Sequence, residues 1–281
     1  MLDLLLPFHY YLKVHFEYKY KCNSGLVSSN NELGSGFFLL TIDIGSIYFE
    51  PAPGQFINIY LNDEYGYMLP RPFSVFNIVK YENLGSAVQI LYKVIGRGTK
   101  IISQLTKGDR VEFTGPLGNG FIIEGEKPLL IAGGVGIASL NFLARRFKEN
   151  KIEPKVLIGV RDEMSYRAFN GIFNNLDIQF SIERGELDTI FKGNVIELYS
   201  ISDIDYDVIY ICGPTNMLKS FEEIYRSKNI ITKVYCCLES RMACGVGACL
   251  GCSIPTKDGY RSCCVDGPVF EIGEVIWKDL T

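Results

Sequence analysis

The chain has 281 residues, a net charge of −4 and nine cysteines, and its lysines and arginines are spread along the sequence. This length predicts about two domains that each bury a core, and the charge gives no electrostatic footprint for nucleic acid. Nine cysteines without a signal peptide predict a reducing compartment, the cytoplasm, in which thiolates stay available.

The N-terminal stretch, residues 1–16, is rich in Leu, Phe and Tyr but is interrupted by charged residues and by Pro7. It is shorter than the roughly 20 apolar residues of a membrane helix and lacks the features of a signal peptide. We therefore expect no membrane span, and we predict an extension that adds a strand or forms an interface; a misassigned start codon is the alternative. A metal site made of the only two histidines, His9 and His15, is not expected.

Residues 17–124 predict an antiparallel β-barrel domain. Short runs rich in Val, Ile, Phe and Tyr alternate with Gly, Pro and Asn, and many short strands at this density are typical of a small barrel. The clearest predicted strands are 37–42, 56–61, 87–92 and 110–113.

Two segments of this barrel carry residues suited to a phosphate-containing ligand. The first consists of Arg71, Pro72, Phe73 and Ser74. A guanidinium held by a rigid proline turn suits a diphosphate, and the nearby hydroxyl can donate to a ring nitrogen. Such a tetrapeptide also occurs by chance in loops, so its interpretation depends on the segment that follows.

The second segment comprises Leu91, Tyr92 and Lys93 at the end of a strand, followed by a turn with Gly98 and Thr99. This turn opens a short predicted helix, whose free N–H groups favour phosphate. The alternative for the tyrosine is an ordinary strand aromatic.

Residues 125–235 predict an α/β domain with a parallel sheet. Continuous apolar runs alternate with helical stretches, a pattern typical of a sheet covered on both faces. The predicted strands are 128–132, 156–160 and 208–212, and the predicted helices are 137–149 and 216–227.

Glycine-rich turns follow two of these strands. They consist of Gly133, Gly134, Val135 and Gly136, and of Cys212, Gly213 and Pro214. Between a strand and a helix such a turn lets the backbone approach a pyrophosphate, although the sequence is not G-x-G-x-x-G and a plain βα turn is the alternative. No histidine is available to activate Cys212, so we do not expect a nucleophile there. We expect 161–163 to lie beside an adenosine ribose.

Residues 236–281 predict a small cluster domain. The spacing of Cys244, Cys249 and Cys252 is C-x4-C-x2-C, and a fourth cysteine follows at Cys264 or its neighbour Cys263. This is the spacing of plant-type [2Fe-2S] ligation, and the glycines between the ligands let the loop close over the sulfides. Structural zinc, a disulfide cluster and ordinary buried thiols are the alternatives.

The sequence 239–249, closed by the run from Cys264 to Phe270, resembles the electron-transfer subunit of NAD-dependent dihydroorotate dehydrogenase, a member of the ferredoxin-reductase-like superfamily. In that family the last cluster ligand immediately precedes an x-Asp-Gly-Pro-Val-Phe run, which selects Cys264. The resemblance implies a barrel that binds FAD, an α/β domain that binds NAD(H) and a C-terminal [2Fe-2S] domain.

The resemblance also implies roles for the motifs above. Arg71 contacts the diphosphate, Ser74 lies near the reactive edge of the flavin, and Tyr92 stacks beside it. The two glycine-rich turns border NAD(H), with NADH preferred to NADPH. Lys93 stands where relatives often have arginine, which leaves a bidentate phosphate contact there open.

The implied partner is an FMN-containing catalytic subunit that oxidises dihydroorotate in pyrimidine biosynthesis, in a heterotetramer of two plus two. A flavin can link hydride transfer to single-electron transfer, so the three sites predict an electron-transfer enzyme with no catalytic side chain of its own. Two alternatives stay open. One is a subunit of a related NAD(P)H-linked ferredoxin, hydrogenase or sulfide-reducing complex, and the other is a zinc-stabilised binding module.

Overall fold

The computed structural model describes residues 22–63, 66–82, 85–173 and 176–280. The predicted N-terminal extension and both histidines lie outside these residues. Within the described part of the chain, no helix is long and apolar enough to cross a membrane.

The first sheet is antiparallel and has seven strands in the order β4-β3-β7-β1-β2-β6-β5. The strands are β1 (Cys22–Gly34), β2 (Phe37–Gly45), β3 (Phe56–Asp63), β4 (Gly66–Ser74), β5 (Asn77–Tyr81), β6 (Gly85–Lys93) and β7 (Arg110–Leu117), and helix α1 (Arg97–Ser103) follows β6. Contacts between β4 and β6 curl the sheet into a barrel-like shape.

Alternation along the strands forms the core of this sheet. Leu40 and Ile42 on β2 and Ile57 and Ile59 on β3 are at most 1% exposed, as expected when every second side chain of a strand points inward. The four strands predicted from the sequence lie within β2, β3, β6 and β7, so the predicted β-barrel class is confirmed.

The second sheet has seven strands in the order β11-β10-β9-β8-β12-β13-β16. The strands are β8 (Pro128–Gly133), β9 (Lys155–Asp162), β10 (Asp177–Arg184), β11 (Phe191–Lys192), β12 (Val208–Cys212), β13 (Lys233–Cys237) and β16 (Val269–Glu271). The helices are α2 (Ile137–Glu149), α3 (Glu163–Phe169), α4 (Val195–Ile201) and α5 (Thr215–Ser227). Separate apolar clusters cover its two faces, so the predicted α/β class is confirmed.

The C-terminal segment is joined to this sheet through its edge. All other strand pairs of the sheet are parallel, but β16 pairs antiparallel with β13 through Cys236 and Phe270. A hairpin of β14 (Ser253–Thr256) and β15 (Gly259–Ser262) lies between Cys252 and Cys264, and β16 follows Cys264. The cluster segment is thereby held next to the carboxyl ends of β12 and β13.

Candidate functional site

A cavity of about 350 Å³ is lined by both sheets and by the segment that leads to Cys244. We call it the inter-sheet cavity, and its volume is in the range of small-molecule sites. Eight of the nine residues predicted for FAD line it: Arg71, Pro72, Phe73, Ser74, Leu91, Tyr92, Lys93 and Thr99. Its remaining lining residues are Phe56, Ile95, Val135, Ala138, Cys237, Leu238, Glu239, Ser240, Met242 and Pro268, of which the sequence analysis assigned only Val135.

The ninth residue, Gly98, lies beneath the guanidinium of Arg71. A methyl group on Gly98 would come within 2.8 Å of Arg71 Nε, so only glycine allows this close approach without displacement of the arginine. Arg71 Nη1 donates to the carbonyl oxygen of Leu69 at 2.5 Å. A guanidinium has five N–H donors, so further donors remain for an anionic ligand.

Thr99 uses its hydroxyl within its own turn. Its Oγ1 accepts hydrogen bonds from the backbone N–H groups of Ile95 at 2.9 Å and Gly96 at 3.1 Å, and it donates to the carbonyl of Gly96 at 3.0 Å. The hydroxyl therefore shapes the start of α1.

Tyr92 lines the cavity but belongs mainly to the barrel core. It is 2% exposed, and its ring stacks on Phe38 and meets Phe73 edge-on. The hydroxyl donates to Asn30 Oδ1 at 3.2 Å, and burial raises the pKa of Tyr92 to about 12. The phenol is therefore neutral near pH 7.

Ser74 connects the cavity to a buried group of thiols. Ser139 Oγ donates to Ser74 Oγ at 2.8 Å, and the thiols of Cys212 and Cys237 lie 3.9 and 3.7 Å from Ser139 Oγ. A hydrogen bond with Cys237, together with burial, raises the pKa of Cys212 well above its ordinary value. The Cys212 thiol is thus protonated near neutral pH.

A second cavity of about 210 Å³ contains most of the residues predicted for NAD. We call it the glycine-turn cavity, and Gly133, Gly134, Val135, Gly213 and Pro214 line it. Lys93, Val135 and Glu239 border this cavity and the inter-sheet cavity alike. Two ligands bound in the two cavities would therefore share a wall.

The two other residues predicted for NAD, Gly136 and Cys212, do not line this cavity but pack against each other. A methyl group on Gly136 would collide with the backbone carbonyl of Cys212, so the glycine permits close packing of the two turns. Arg161 lines the cavity, whereas Asp162 accepts hydrogen bonds from the backbone N–H and hydroxyl of Ser165 and caps α3. The cap lowers the pKa of Asp162, so its carboxylate is ionised.

Backbone N–H groups surround the sulfurs of the predicted cluster ligands. Cys244 Sγ accepts from Val246 at 3.5 Å and from the N–H of Cys249 at 3.4 Å. Gly251 donates to Cys249 Sγ at 3.5 Å, and Gly247 donates to Cys264 Sγ at 3.2 Å. Burial raises the pKa of Cys244, but these donors outweigh it and the pKa falls to about 7. Such donors favour thiolates.

Cys263 and Cys264 point in different directions. Cys263 Sγ donates to the carbonyl of Leu238 at 3.4 Å and is fully buried. The thiol of Cys264 hydrogen-bonds that of Cys252, and burial and this contact raise the pKa of Cys264 to about 12. The loop that carries Cys244, Cys249 and Cys252 therefore contacts Cys264, and four cysteine thiolates are the ligands of a [2Fe-2S] cluster. Among the described residues, no three His, Cys, Asp or Glu side chains form a group that could hold a single metal ion.

The sequence analysis missed Phe56, Cys237 and Met242 as cavity residues. Phe56 begins a predicted strand, and alternation could have marked it as facing one side. Cys237 and Met242 carry no comparable local signal, because the sheet and the cluster loop bring them to the cavity from elsewhere in the chain.

Known proteins resemble this chain over most of its length. The family described as the iron–sulfur cluster binding domain of dihydroorotate dehydrogenase B matches residues 239–276. The chain is 37% identical to the dihydroorotate dehydrogenase B (NAD(+)) electron transfer subunit of Caldanaerobacter subterraneus subsp. tengcongensis, over 89% of this chain and 97% of the relative. The subunit of the same name from Shouchella clausii is 35% identical, over 80% and 86%.

A solved structure of an NADH-dependent reduced ferredoxin-NADP oxidoreductase has a TM-score of 0.78 at 26% identity and covers 91% of both chains. The ferredoxin reductase of carbazole 1,9a-dioxygenase has a TM-score of 0.63 at 20% identity, over 75% of this chain and 66% of that chain, a likeness of fold alone. The identity and coverage of the curated relatives show that this chain belongs to the family of electron transfer subunits of NAD-dependent dihydroorotate dehydrogenase B.

Proposed function

We propose that this chain passes electrons between NAD(H) and an FMN-containing dihydroorotate dehydrogenase subunit, with FAD and a [2Fe-2S] cluster as its cofactors. A bound flavin supplies the link between two-electron hydride exchange with nicotinamide and single-electron exchange with a cluster. The observation that carries the proposal is that the inter-sheet cavity, the glycine-turn cavity and the segment that leads to the first cluster ligand adjoin one another. Glu239, Ser240 and Met242 line the inter-sheet cavity, and Cys244 follows two residues later.

The inter-sheet cavity is the proposed FAD site. Arg71 supplies free guanidinium donors for a diphosphate, and Gly98 leaves space for its side chain. Ser74 presents a hydroxyl that is oriented by Ser139, while Pro72, Phe73, Leu91, Tyr92, Lys93 and Thr99 complete the proposed set. Phe56 and Met242 add apolar wall, which keeps water away from a flavin ring.

The glycine-turn cavity is the proposed NAD(H) site. Gly133, Gly134, Val135 and Gly136 form one turn and Cys212, Gly213 and Pro214 the other, and their small side chains let a dinucleotide approach the backbone. The wall shared with the inter-sheet cavity supports a nicotinamide held against the flavin. Desolvation in this wall raises the pKa of the Glu239 carboxyl.

Cys244, Cys249, Cys252 and Cys264 are the proposed cluster ligands. Backbone donors to three of these sulfurs stabilise thiolates before the iron is bound, and Cys263 turns its thiol toward Leu238.

The outer rim of the cluster loop is the proposed docking point for the FMN subunit. Cys249 is exposed, and the next residue, Leu250, is 64% exposed with a positive φ of 56°. An exposed apolar residue beside a ligand offers a short path for electrons and an apolar contact for the partner. We further propose that the complex is a heterotetramer of two plus two.

Purification of the complex with its FMN subunit tests this function. We expect dihydroorotate to reduce NAD+ only when both subunits are present. Leu250→Asp should lower this rate at least about tenfold, as for a central interface residue. NADH oxidation by an artificial electron acceptor should stay unchanged.

The matched control is Ile231→Asp, which changes an isoleucine that is 99% exposed and precedes the amino end of β13, whereas the cluster segment follows the carboxyl end of that strand. Equal rates for both variants in the dihydroorotate assay would contradict the docking point. No NADH-dependent reduction of the isolated chain would contradict the proposed function itself.

We also propose the division into a barrel domain over 17–124, an NAD domain over 125–235 and a cluster domain over 236–281. The strands β1 to β7 fall within the first range, and β13 continues two residues past the end of the second. A cytoplasmic location stays a proposal that rests on nine free cysteines.

A further inference from the structure

Asn58 is a fully buried polar side chain on β3. Among the residues that the structure describes, only three buried side-chain nitrogen or oxygen atoms lack a hydrogen-bond partner, and two of them are Nδ2 and Oδ1 of Asn58. A buried amide without a partner destabilises a protein, and such groups are rare. The side chain therefore indicates a partner that is not an amino acid of the described chain.

The amide faces the loop of the proposed cluster. A methyl group on Gly245 would collide with Asn58 Nδ2 and would lie 3.2 Å from Leu117 Cδ1. Gly245 has a φ of +72° and directly follows Cys244. The close approach thus brings an N–H donor against the backbone that carries a proposed cluster ligand, beside an apolar neighbour that offers no acceptor.

The same position borders the inter-sheet cavity. Phe56, two residues earlier on β3, faces the same side of the strand as Asn58 and lines that cavity. Pro72, which is opposite Asn58 on β4, lines it too. Asn58 is therefore between the proposed flavin site and the loop of the first cluster ligand.

We propose that Asn58 Nδ2 donates a hydrogen bond to a sulfur atom of the [2Fe-2S] cluster and thereby raises its reduction potential. The inference rests on the proposed cluster at Cys244, Cys249, Cys252 and Cys264. Reduction adds negative charge to the cluster, and a donor to its sulfur stabilises the reduced form more than the oxidised form. Asn58 is a positioning residue, since it tunes the cluster without taking part in bond changes.

The first test compares Asn58→Leu, which keeps the size of the side chain and removes its donor, with wild type. Because a hydrogen bond to a charged group contributes about a factor of ten, the equilibrium for reduction of the cluster should fall about tenfold, or about 59 mV for one electron. The midpoint potential is followed by the electron paramagnetic resonance signal of the reduced cluster, whose g values should also shift. Unchanged g values and an unchanged potential would overturn the proposal.

Asn77→Leu is the matched control. Asn77 is a buried amide of the same sheet, but its Nδ2 donates to Gln89 Oε1 at 2.9 Å. This variant should lose stability and keep the wild-type cluster signal. A shift equal to that of Asn58→Leu would mean that any damage to the barrel perturbs the cluster, and it would overturn the specific role.

A second measurement uses the wild-type protein, so it does not depend on whether Asn58→Leu folds. Wild-type protein labelled with ¹⁵N in the side-chain amide of asparagine should show a nitrogen coupling to the reduced cluster in pulsed resonance spectra. Asn119, whose Nδ2 donates to the carbonyl of Asp266 at 3.1 Å, is checked by Asn119→Leu, which should keep the coupling. A cluster signal without this coupling would overturn the inference, whereas the absence of any cluster signal would refute the proposed cluster.

Discussion

The adjacent residues Cys263 and Cys264 give a sharp test of the cluster assignment, because the two thiols face different surroundings. Cys264 Sγ accepts the N–H of Gly247 at 3.2 Å, whereas Cys263 Sγ donates to the carbonyl of Leu238 at 3.4 Å. We expect Cys264→Ala to lose the cluster, so that its iron content falls from two atoms per chain to nearly none.

Cys263→Ala should keep the cluster and lose only local stability. The thiol is 0% exposed, so its removal leaves a small cavity and an unpaired carbonyl. Together these cost about 1–2 kcal/mol.

Iron and sulfide assays, resonance spectra of the reduced protein and urea unfolding separate the two outcomes. In wild type and Cys263→Ala, bound metal should also stabilise the C-terminal segment, because metal binding is coupled to folding of its site. Loss of the cluster in Cys263→Ala with retention in Cys264→Ala would refute the reasoning from thiol direction.

Three further perturbations follow from single contacts. Gly136→Ala should lower the free energy of unfolding by about 2–3 kcal/mol, because its methyl group would strike the carbonyl of Cys212. A methyl group on Gly96 meets nothing within 4 Å, so Gly96→Ala should change the stability little in the same urea titration, and equal losses in the two variants would contradict the reasoning. Arg71→Ala should weaken the binding of FAD at least about tenfold, because it removes a charge-assisted contact, and it should leave the iron content unchanged. Full flavin content after dialysis would argue against the proposed FAD site. Hydrogen bonds from Tyr235 and Lys233 lower the pKa of Glu124, so the stability that its carboxylate contributes is present above the ordinary glutamate pKa and is lost as the pH falls through the lowered pKa. Glu124→Gln should therefore be less stable than wild type at pH 7 and equally stable in acid. A stability difference that grows in acid would contradict this direction of the pKa shift.

Local sequence patterns predicted three strands of the second sheet, β8, β9 and β12, and two of its helices, α2 and α5. The predicted helix 137–149 and strand 208–212 have the bounds of α2 and β12, because a glycine turn ends at Gly136 just before the helix and another begins at Gly213 just after the strand. The seven-strand order and the antiparallel edge at β16 could not be predicted in this way. Cys236 pairs with Phe270 across 34 residues, and such pairing leaves no periodic trace in either segment.

The sequence likewise predicted the proposed sites where their residues are close together in the chain, and it missed residues that distant segments bring to the sites. Motif spacing marked Arg71, Ser74 and the first three cluster cysteines, because each motif is contiguous in the sequence, whereas only the family resemblance selected Cys264 over Cys263. Asn58 gave no signal, since an asparagine in a predicted strand is unremarkable until its unpaired amide and the nearby Gly245 are seen together. Thr99 is the opposite case, because its motif was visible but its hydroxyl is used within its own turn.

The most direct test of the electron-transfer account is an ultraviolet–visible spectrum of anaerobically purified protein before and after NADH is added, with iron, sulfide and flavin assays on the same sample. The account predicts FAD with two irons and two sulfides per chain, and bleaching of flavin and cluster absorbance by NADH. A colourless protein that contains zinc, or a flavin that NADH does not reduce after reconstitution of the cluster, would contradict it.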